Sequence, residues 1–187
     1  MSKYQNKFRV ESARFKEWDY SIPWYYFVTL NTKYHQYYFG NVLNGIMELN
    51  GVGRIVEEEW TKTKLIRKNV DLDYHIIMPN HLHGIIIINE PRRDVARNVS
   101  TNNNKYSKMS PKSGSLSSII RSFKSAVSKN IHEYGCTDFS RQSRFYDRII
   151  RNENELFNIR RYIIQNPLRW EYEKDKPENI CDLDSLT

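Results

Sequence analysis

The sequence predicts an α+β fold, an antiparallel sheet with helices packed on it. Three observations carry this expectation. Pro79-Asn80 separates two runs rich in β-branched residues, Val70–Met78 and His81–Asn89, so a two-residue turn joins two antiparallel strands. Two later stretches repeat apolar residues at helical spacing: Leu116, Ile119, Ile120, Phe123, Val127 and Ile131 in one, Leu156, Phe157, Ile159, Ile163 and Ile164 in the other. Strand and helix patterns alternate irregularly through hairpin-type connections, unlike the regular alternation of a parallel sheet.

Taken in order, residues 1–22 show no clear period and read as an irregular N-terminal extension, with Phe15, Trp18 and Ile22 available to pin it to the body. Pro23–Asn31 is dense in aromatic and β-branched residues on both faces, which predicts a central strand. Asn31–Gln36 is a connection, and Tyr37–Asn41 and Gly45–Asn50 make two short strands around a turn. Gly51–Lys64 places Val52, Ile55, Val56 and Trp60 at helical spacing, with Glu57, Glu58 and Glu59 outward. After the hairpin, residues 90–114 are basic and rich in Asn and Ser, either a flexible loop able to lie along a bound strand or an insertion with no role. The helix of Leu116–Tyr134 stops at Gly135. Phe145–Ile150 is a short strand. Asn152 and Glu155 open the last helix as a capping-box variant, and Pro167 ends it after Asn166. Residues 23–170 thus form the domain, and 171–187 an acidic tail.

Composition narrows the class of function. A chain of 187 residues, 39% hydrophobic and 27% charged, suits one domain with a real core. No apolar run approaches the ~20 residues of a membrane helix, and the first residues lack a signal peptide's apolar stretch. Two distant cysteines, Cys136 and Cys181, in no metal spacing, fit a reducing, cytoplasmic setting. The net charge is +7; residues 171–187 hold six acids against two lysines, so the first 170 residues carry +11. A basic, aromatic-rich body suits a polyanionic partner. Arg121, Lys124 and Lys129 lie on or near the polar flank of one helix, and Arg141, Arg144, Arg148 and Arg151 crowd the last strand. They are candidate phosphate contacts, as against charges that merely solvate a surface.

The chemistry starts from His81 and His83. Two residues apart on a strand, they leave the same face and can offer two nitrogen ligands to a metal; otherwise they are two histidines at a strand end. Two ligands do not hold an ion alone. The third must come from another element, as an oxygen or amide, or from His75 or His132, although the turn sets His75 across from Gly84 and facing away from the pair. There is no Gly-x-Ser-x-Gly elbow, phosphate-cradling glycine loop or Cys–His pair. Among thirteen tyrosines, Tyr162 stands out, four residues before Asn166 at the margin of an apolar helix face. Tyrosine can act as a nucleophile, given a cation to polarise the phosphate it attacks.

Met78-Pro-Asn-His-Leu-His-Gly84 together with Tyr162-Ile-Ile-Gln-Asn-Pro167 resembles the REP-associated tyrosine transposases, relatives of the single-tyrosine insertion-sequence transposases in the HUH endonuclease class. Phe145–Arg151 and the Leu116–Ile131 helix also look like that family, and the resemblance runs from about Pro23 to Trp170. It implies a ferredoxin-like or RRM-like sheet. It implies His81 and His83 as ligands of Mg²⁺ or Mn²⁺, Asn166 completing the site where the insertion-sequence relatives carry glutamine, and Tyr162 as nucleophile. The implied reaction cuts single-stranded DNA bearing hairpins or palindromic repeats, leaves a 5′-phosphotyrosine, and rejoins strands, in a monomer or homodimer associated with the bacterial nucleoid. The alternatives are a non-catalytic DNA-binding protein of the same fold, and a His-x-His metalloenzyme acting on a small molecule.

Overall fold

The computed structural model describes residues 3–4, 7–8, 15, 17–90 and 111–173. Two short strands, β1 (Lys3–Tyr4) and β2 (Lys7–Phe8), pair near the start. The main elements are β3 (Trp24–Asn31), the hairpin β4 (Gly40–Leu43) and β5 (Ile46–Leu49), α1 (Gly51–Ile66), β6 (Val70–Met78), β7 (His81–Ile88), α2 (Leu116–Glu133), β8 (Tyr146–Ile149) and α3 (Glu153–Glu173).

Strands β6, β7, β3 and β8 form one antiparallel sheet in that spatial order. In chain order this is 2-3-1-4, with α1 and α2 as the crossovers, so the expected ferredoxin-like arrangement is present. The central position expected for β3 holds: Tyr26, Phe27 and Val28 are fully buried between β7 and β8. The Pro79-Asn80 turn pairs Met78 with His81, and neither turn residue has a positive φ. Asn44-Gly45 closes the small hairpin with both residues left-handed, at φ 53° and 71°.

Alternation along β3 and β7 sorts residues onto two faces. Tyr26, Val28, Leu30, Leu82, Ile86 and Ile88 pack with α1 and α2. Phe27 and Ile85 face the other way, against Ile159, Tyr162 and Ile163 of α3. Two ion pairs fix α3 across this second face. Arg160 Nη2 lies 2.6 Å from Asp73 Oδ2 on edge strand β6, and Arg148 Nε on edge strand β8 lies 2.6 Å from Glu155 Oε1. Both carboxylates are nearly buried, where charge-assisted bonds are strongest.

Several expectations need correction. Pro167 does not end the last helix, which continues to Glu173. The lost hydrogen bond is offset by contacts beyond it: Trp170 packs on Tyr37 and His81, and Glu171 Oε1 accepts from Asn44 N at 3.2 Å. Phe157 and Ile164, expected on the apolar face of α3, are 63% and 60% exposed. Glu59, expected outward, is buried and accepts from Lys62 Nζ and Asn130 Nδ2. Asn152 Oδ1 does accept from Glu155 N at 2.8 Å, but the Glu155 carboxylate serves Arg148 and Arg151 N rather than the cap. Trp18 packs on the core while Phe15 is exposed. Residues 91–110 and 174–187 lie outside the described residues, as does most of the N-terminal extension.

Gly84 is required by packing. A Cβ built there would lie 2.3 Å from Cζ2 of Trp60, which is fully buried. Gly84→Ala must therefore displace a core tryptophan beside His83. The expected loss is roughly 1–3 kcal/mol, read as a shift in urea midpoint; unchanged stability would show that this contact is not limiting.

Candidate active site

His81 and His83 leave the α3 face of β7, next to each other, with ring centroids 4.5 Å apart. Register places Asn31 and Met78 beside His81, and Thr29 and Ile76 beside His83. From above, α3 lowers Tyr162, Asn166 and Trp170 onto this row, at successive helical turns. All four expected site residues are buried: His81 3%, His83 1%, Tyr162 8% and Asn166 7% exposed.

Each imidazole is held at its Nδ1. Asn80 Nδ2 donates to His35 O at 3.1 Å, which fixes the amide so that Oδ1 faces His81. That oxygen only accepts, so His81 Nδ1–H donates to it at 2.6 Å. The lone pair of His81 is then on Nε2, a buried nitrogen with no hydrogen-bond partner. His83 Nδ1 lies 2.9 Å from Thr29 Oγ1, and Nε2 lies 3.2 Å from the Tyr162 hydroxyl. With Nδ1–H donated to Thr29, Nε2 accepts from Tyr162. This is the way ligand imidazoles are oriented: an oxygen behind Nδ1 aims Nε2. Phe27 stacks on His83 at 5.4 Å and meets Tyr162 edge-on at 6.2 Å, closing the floor. The Arg169 guanidinium sits 5.4 Å from the centre of the Tyr162 ring.

Electrostatics keep both imidazoles neutral. Burial pushes His81 down to about 3, repulsion from His35 adds to this, and the Asn166 amide beside it opposes the shift. The amide makes no full hydrogen bond to Nε2, which stays open. Burial also holds His83 well below the usual histidine range, with repulsion from His81 second.

The remaining candidates fall elsewhere. His75 pairs with Gly84 on the opposite face and lies against Trp60; His132 Nε2 contacts Phe139 O at 3.1 Å. Neither joins the pair. No group of three or more His, Cys, Asp or Glu able to hold a metal occurs among the described residues. Lys124, expected as a phosphate contact, is instead 4% exposed, and its Nζ donates to Gln142 O and Arg144 O at 3.0 and 2.8 Å. It ties α2 to the approach of β8. Arg121 is exposed on α2, across the sheet from the histidines. Arg148 shares the histidine face, paired to Phe27 across the strands and to Glu155 by charge. Arg144 and Arg151 are exposed at the two ends of β8. The parts that Thr29, Asn80 and Trp170 play in the site were not read from the sequence, where Asn80 stood only as a turn residue. Only Asn80 carried a signal, as the immediate neighbour of a ligand candidate; Thr29 and Trp170 depend on pairing and on a helix that passes a proline.

The depressed histidines set a pH window. Unfolded histidines bind protons below about pH 6.5, whereas the folded pair stays neutral, so stability falls as pH drops from about 6.5. Each buried histidine contributes a slope of about 1.4 kcal/mol per pH unit there. Urea titrations at pH 7 and pH 5 should show that loss, and His81→Asn/His83→Gln should flatten it. An equal slope in the double variant would contradict the assignment.

No protein-family model matches the chain. An uncharacterized protein of Haemophilus influenzae is 31% identical over 163 residues, which are 87% of this chain and 91% of that protein. Among solved structures, a REP-associated tyrosine transposase bound to a REP hairpin aligns over 89% of this chain and 81% of its own, with 19% identity and a TM-score of 0.55. The two-motif resemblance thus meets an independent similarity in fold. The chain has the fold of that tyrosine transposase and belongs to one family with the Haemophilus influenzae protein.

Proposed function

We propose that the chain is a metal-dependent single-stranded DNA endonuclease and strand transferase that works through Tyr162. The observation that carries this is the contact of the Tyr162 hydroxyl with His83 Nε2 at 3.2 Å, across 79 residues of sequence, beside the open Nε2 of His81. A tyrosine and an oriented imidazole pair are the parts that a phosphoryl-transfer centre needs.

The residues fit a divalent ion. His81 and His83 would supply nitrogens and Asn166 an amide oxygen, and the imidazoles are already neutral. Bound there, Mg²⁺ or Mn²⁺ would draw charge from a non-bridging phosphate oxygen. Nε2 of His83 has one lone pair, which can serve Tyr162 or a ligand but not both. A ligand on that nitrogen would leave the Tyr162 hydroxyl without this acceptor. The Tyr162 oxygen attacks phosphorus and gives its proton to solvent water, the P–O3′ bond breaks, and the leaving oxygen takes a proton from solvent water to become a 3′-hydroxyl. A 5′-phosphotyrosine results, and attack by another 3′-hydroxyl reverses the step. A net charge of +7 and the fold shared with a hairpin-bound transposase support a hairpin-bearing DNA strand as substrate, held by a monomer or homodimer associated with the nucleoid. No helix among the described residues is long and apolar enough to cross a membrane.

A second reading, DNA binding without cleavage, is favoured by one observation: the described residues offer the pair no third imidazole, thiolate or carboxylate. One experiment separates the two. Labelled hairpin oligonucleotides with single-stranded flanks are incubated with the protein and Mn²⁺. A denaturation-resistant adduct mapping to Tyr162, lost in Tyr162→Phe while hairpin affinity changes less than ~3-fold, supports the nuclease; hairpin binding with no adduct in any divalent metal supports the binding protein. His81→Ala/His83→Ala should abolish cleavage, and full activity in that variant would reject the site. By direct Mn²⁺ titration, Tyr162→Phe should bind the ion at least as tightly as the parent, because the competing hydrogen bond is gone. Weaker binding would make the tyrosine a ligand rather than a competitor.

A further inference from the structure

The segment in front of the turn that aims His81 holds an uncommon conformation. Lys33–His35 forms one 3-10 turn in which Tyr34 has φ 55° and ψ 23° and His35 has φ 53°. Two successive non-glycine residues in the left-handed region persist only where the surroundings dictate them. Here the Pro79-Asn80 turn does so. Thr32 N donates to Asn80 O at 2.9 Å, Asn80 Nδ2 to His35 O at 3.1 Å, and Tyr38 N and Phe39 N to Pro79 O at 2.9 and 3.1 Å. Thr32 Oγ1 closes the loop on Gln36 O at 2.8 Å.

This scaffolding leaves the rings of Tyr34 and Tyr37 largely exposed. Tyr34 is 78% exposed and Tyr37 63%. Tyr37 meets Trp170 at 5.6 Å between ring centres, and Trp170 meets His81 at 5.7 Å. An aromatic path thus runs from the buried imidazole pair to Tyr37 at the surface; Tyr34, three residues earlier on the same loop, is exposed with the Lys33 ammonium 4.9 Å from its ring centre. Rigidly placed rings beside a cation are what unpaired bases stack on, because every base has a face and its phosphate a charge.

We propose that Lys33–Tyr37 is a base-stacking lip, with Tyr37 and Tyr34 receiving unpaired bases that flank the phosphate presented to Tyr162. This rests on the single-stranded DNA reading above. It assigns the lip a contact with bases and leaves the chemistry to the residues already described.

The test uses the full chain and hairpin oligonucleotides carrying an unpaired tail, with 2-aminopurine at successive tail positions. Bound to the parent protein, one or two positions should be quenched by stacking. Tyr37→Ala and Tyr34→Asn, the latter chosen because asparagine accepts a left-handed φ, should each lose quenching at one position and weaken tailed-DNA binding ~5- to 150-fold. Tyr37→Phe should retain both signals. Circular dichroism and binding to a tail-less hairpin should be unchanged in all three, which separates a lost contact from a lost fold. If the parent binds and quenches the tail and the variants do so equally, the lip is wrong and the single-stranded DNA reading stands. If Tyr37→Ala and Tyr34→Asn weaken the tail-less hairpin equally, base stacking is overturned. If the parent shows no affinity for the tail, the lip falls, and the adduct assay alone decides the single-stranded DNA reading.

Discussion

The antiparallel pairing of β3 with β7 is the constraint on which the molecule rests. It runs from Trp24 opposite Ile88 to Asn31 opposite His81, without a break. Because side chains alternate, this one register decides three things together. It sends Leu82 and Ile86 into the core under α1 and α2, and His81, His83 and Ile85 towards α3. It sets Thr29 against His83, where the hydroxyl can hold Nδ1. It also puts Gly84 under Trp60, the one position in the strand where a side chain has no room. A slip of one residue would reverse every face and bury a histidine where tryptophan now sits. The apolar core specifies the register, and the polar site inherits it.

Much of this was legible beforehand, for identifiable reasons. The His81-Leu82-His83 alternation needs only a strand to put both rings on one face, and the flanking β-branched runs supply the strand. Tyr162 and Asn166 needed only a helix. The resemblance joined the two motifs, and the 3.2 Å contact between Tyr162 and His83 is the geometric form of that link. What could not be read was anything that depends on which strand lies beside which. Thr29 is an ordinary strand residue until β3 is known to adjoin β7. Lys124 looks like a solvent-facing helix cation until the carbonyls before β8 surround it. Glu59 likewise belongs to a run of three acids, yet it is the one that turns inward to Asn130.

The last helix illustrates how tertiary contacts override local preference. Proline in a helix interior costs about 3 kcal/mol or more, and a boundary at Asn166 is what that rule implies. The helix nevertheless continues, because the turn beyond Pro167 carries Trp170 onto His81 and Glu171 onto the backbone of Asn44. A helix ending at Asn166 would have left the imidazole pair open to solvent on that side. The ion pairs of Arg160 with Asp73 and Arg148 with Glu155 hold the same helix at both edges of the sheet. The position of Tyr162 is therefore set by charges at the rim and by aromatic packing past the proline, as much as by the apolar contacts beneath it.

Asn80 has a role that its place in a two-residue turn conceals. One amide ends on the carbonyl of His35 and begins on Nδ1 of His81. The geometry of the exposed loop and the tautomer of a buried imidazole are thus read off a single planar group, and neither can be adjusted alone. A smaller or differently oriented side chain at that position would loosen a surface loop and turn a ring at once. For anyone redesigning this scaffold, the practical meaning is that the exposed loop and the buried imidazole share a pivot. Changes to the loop are better made at its tips, where Tyr34 and Tyr37 project, than at the turn that supports it.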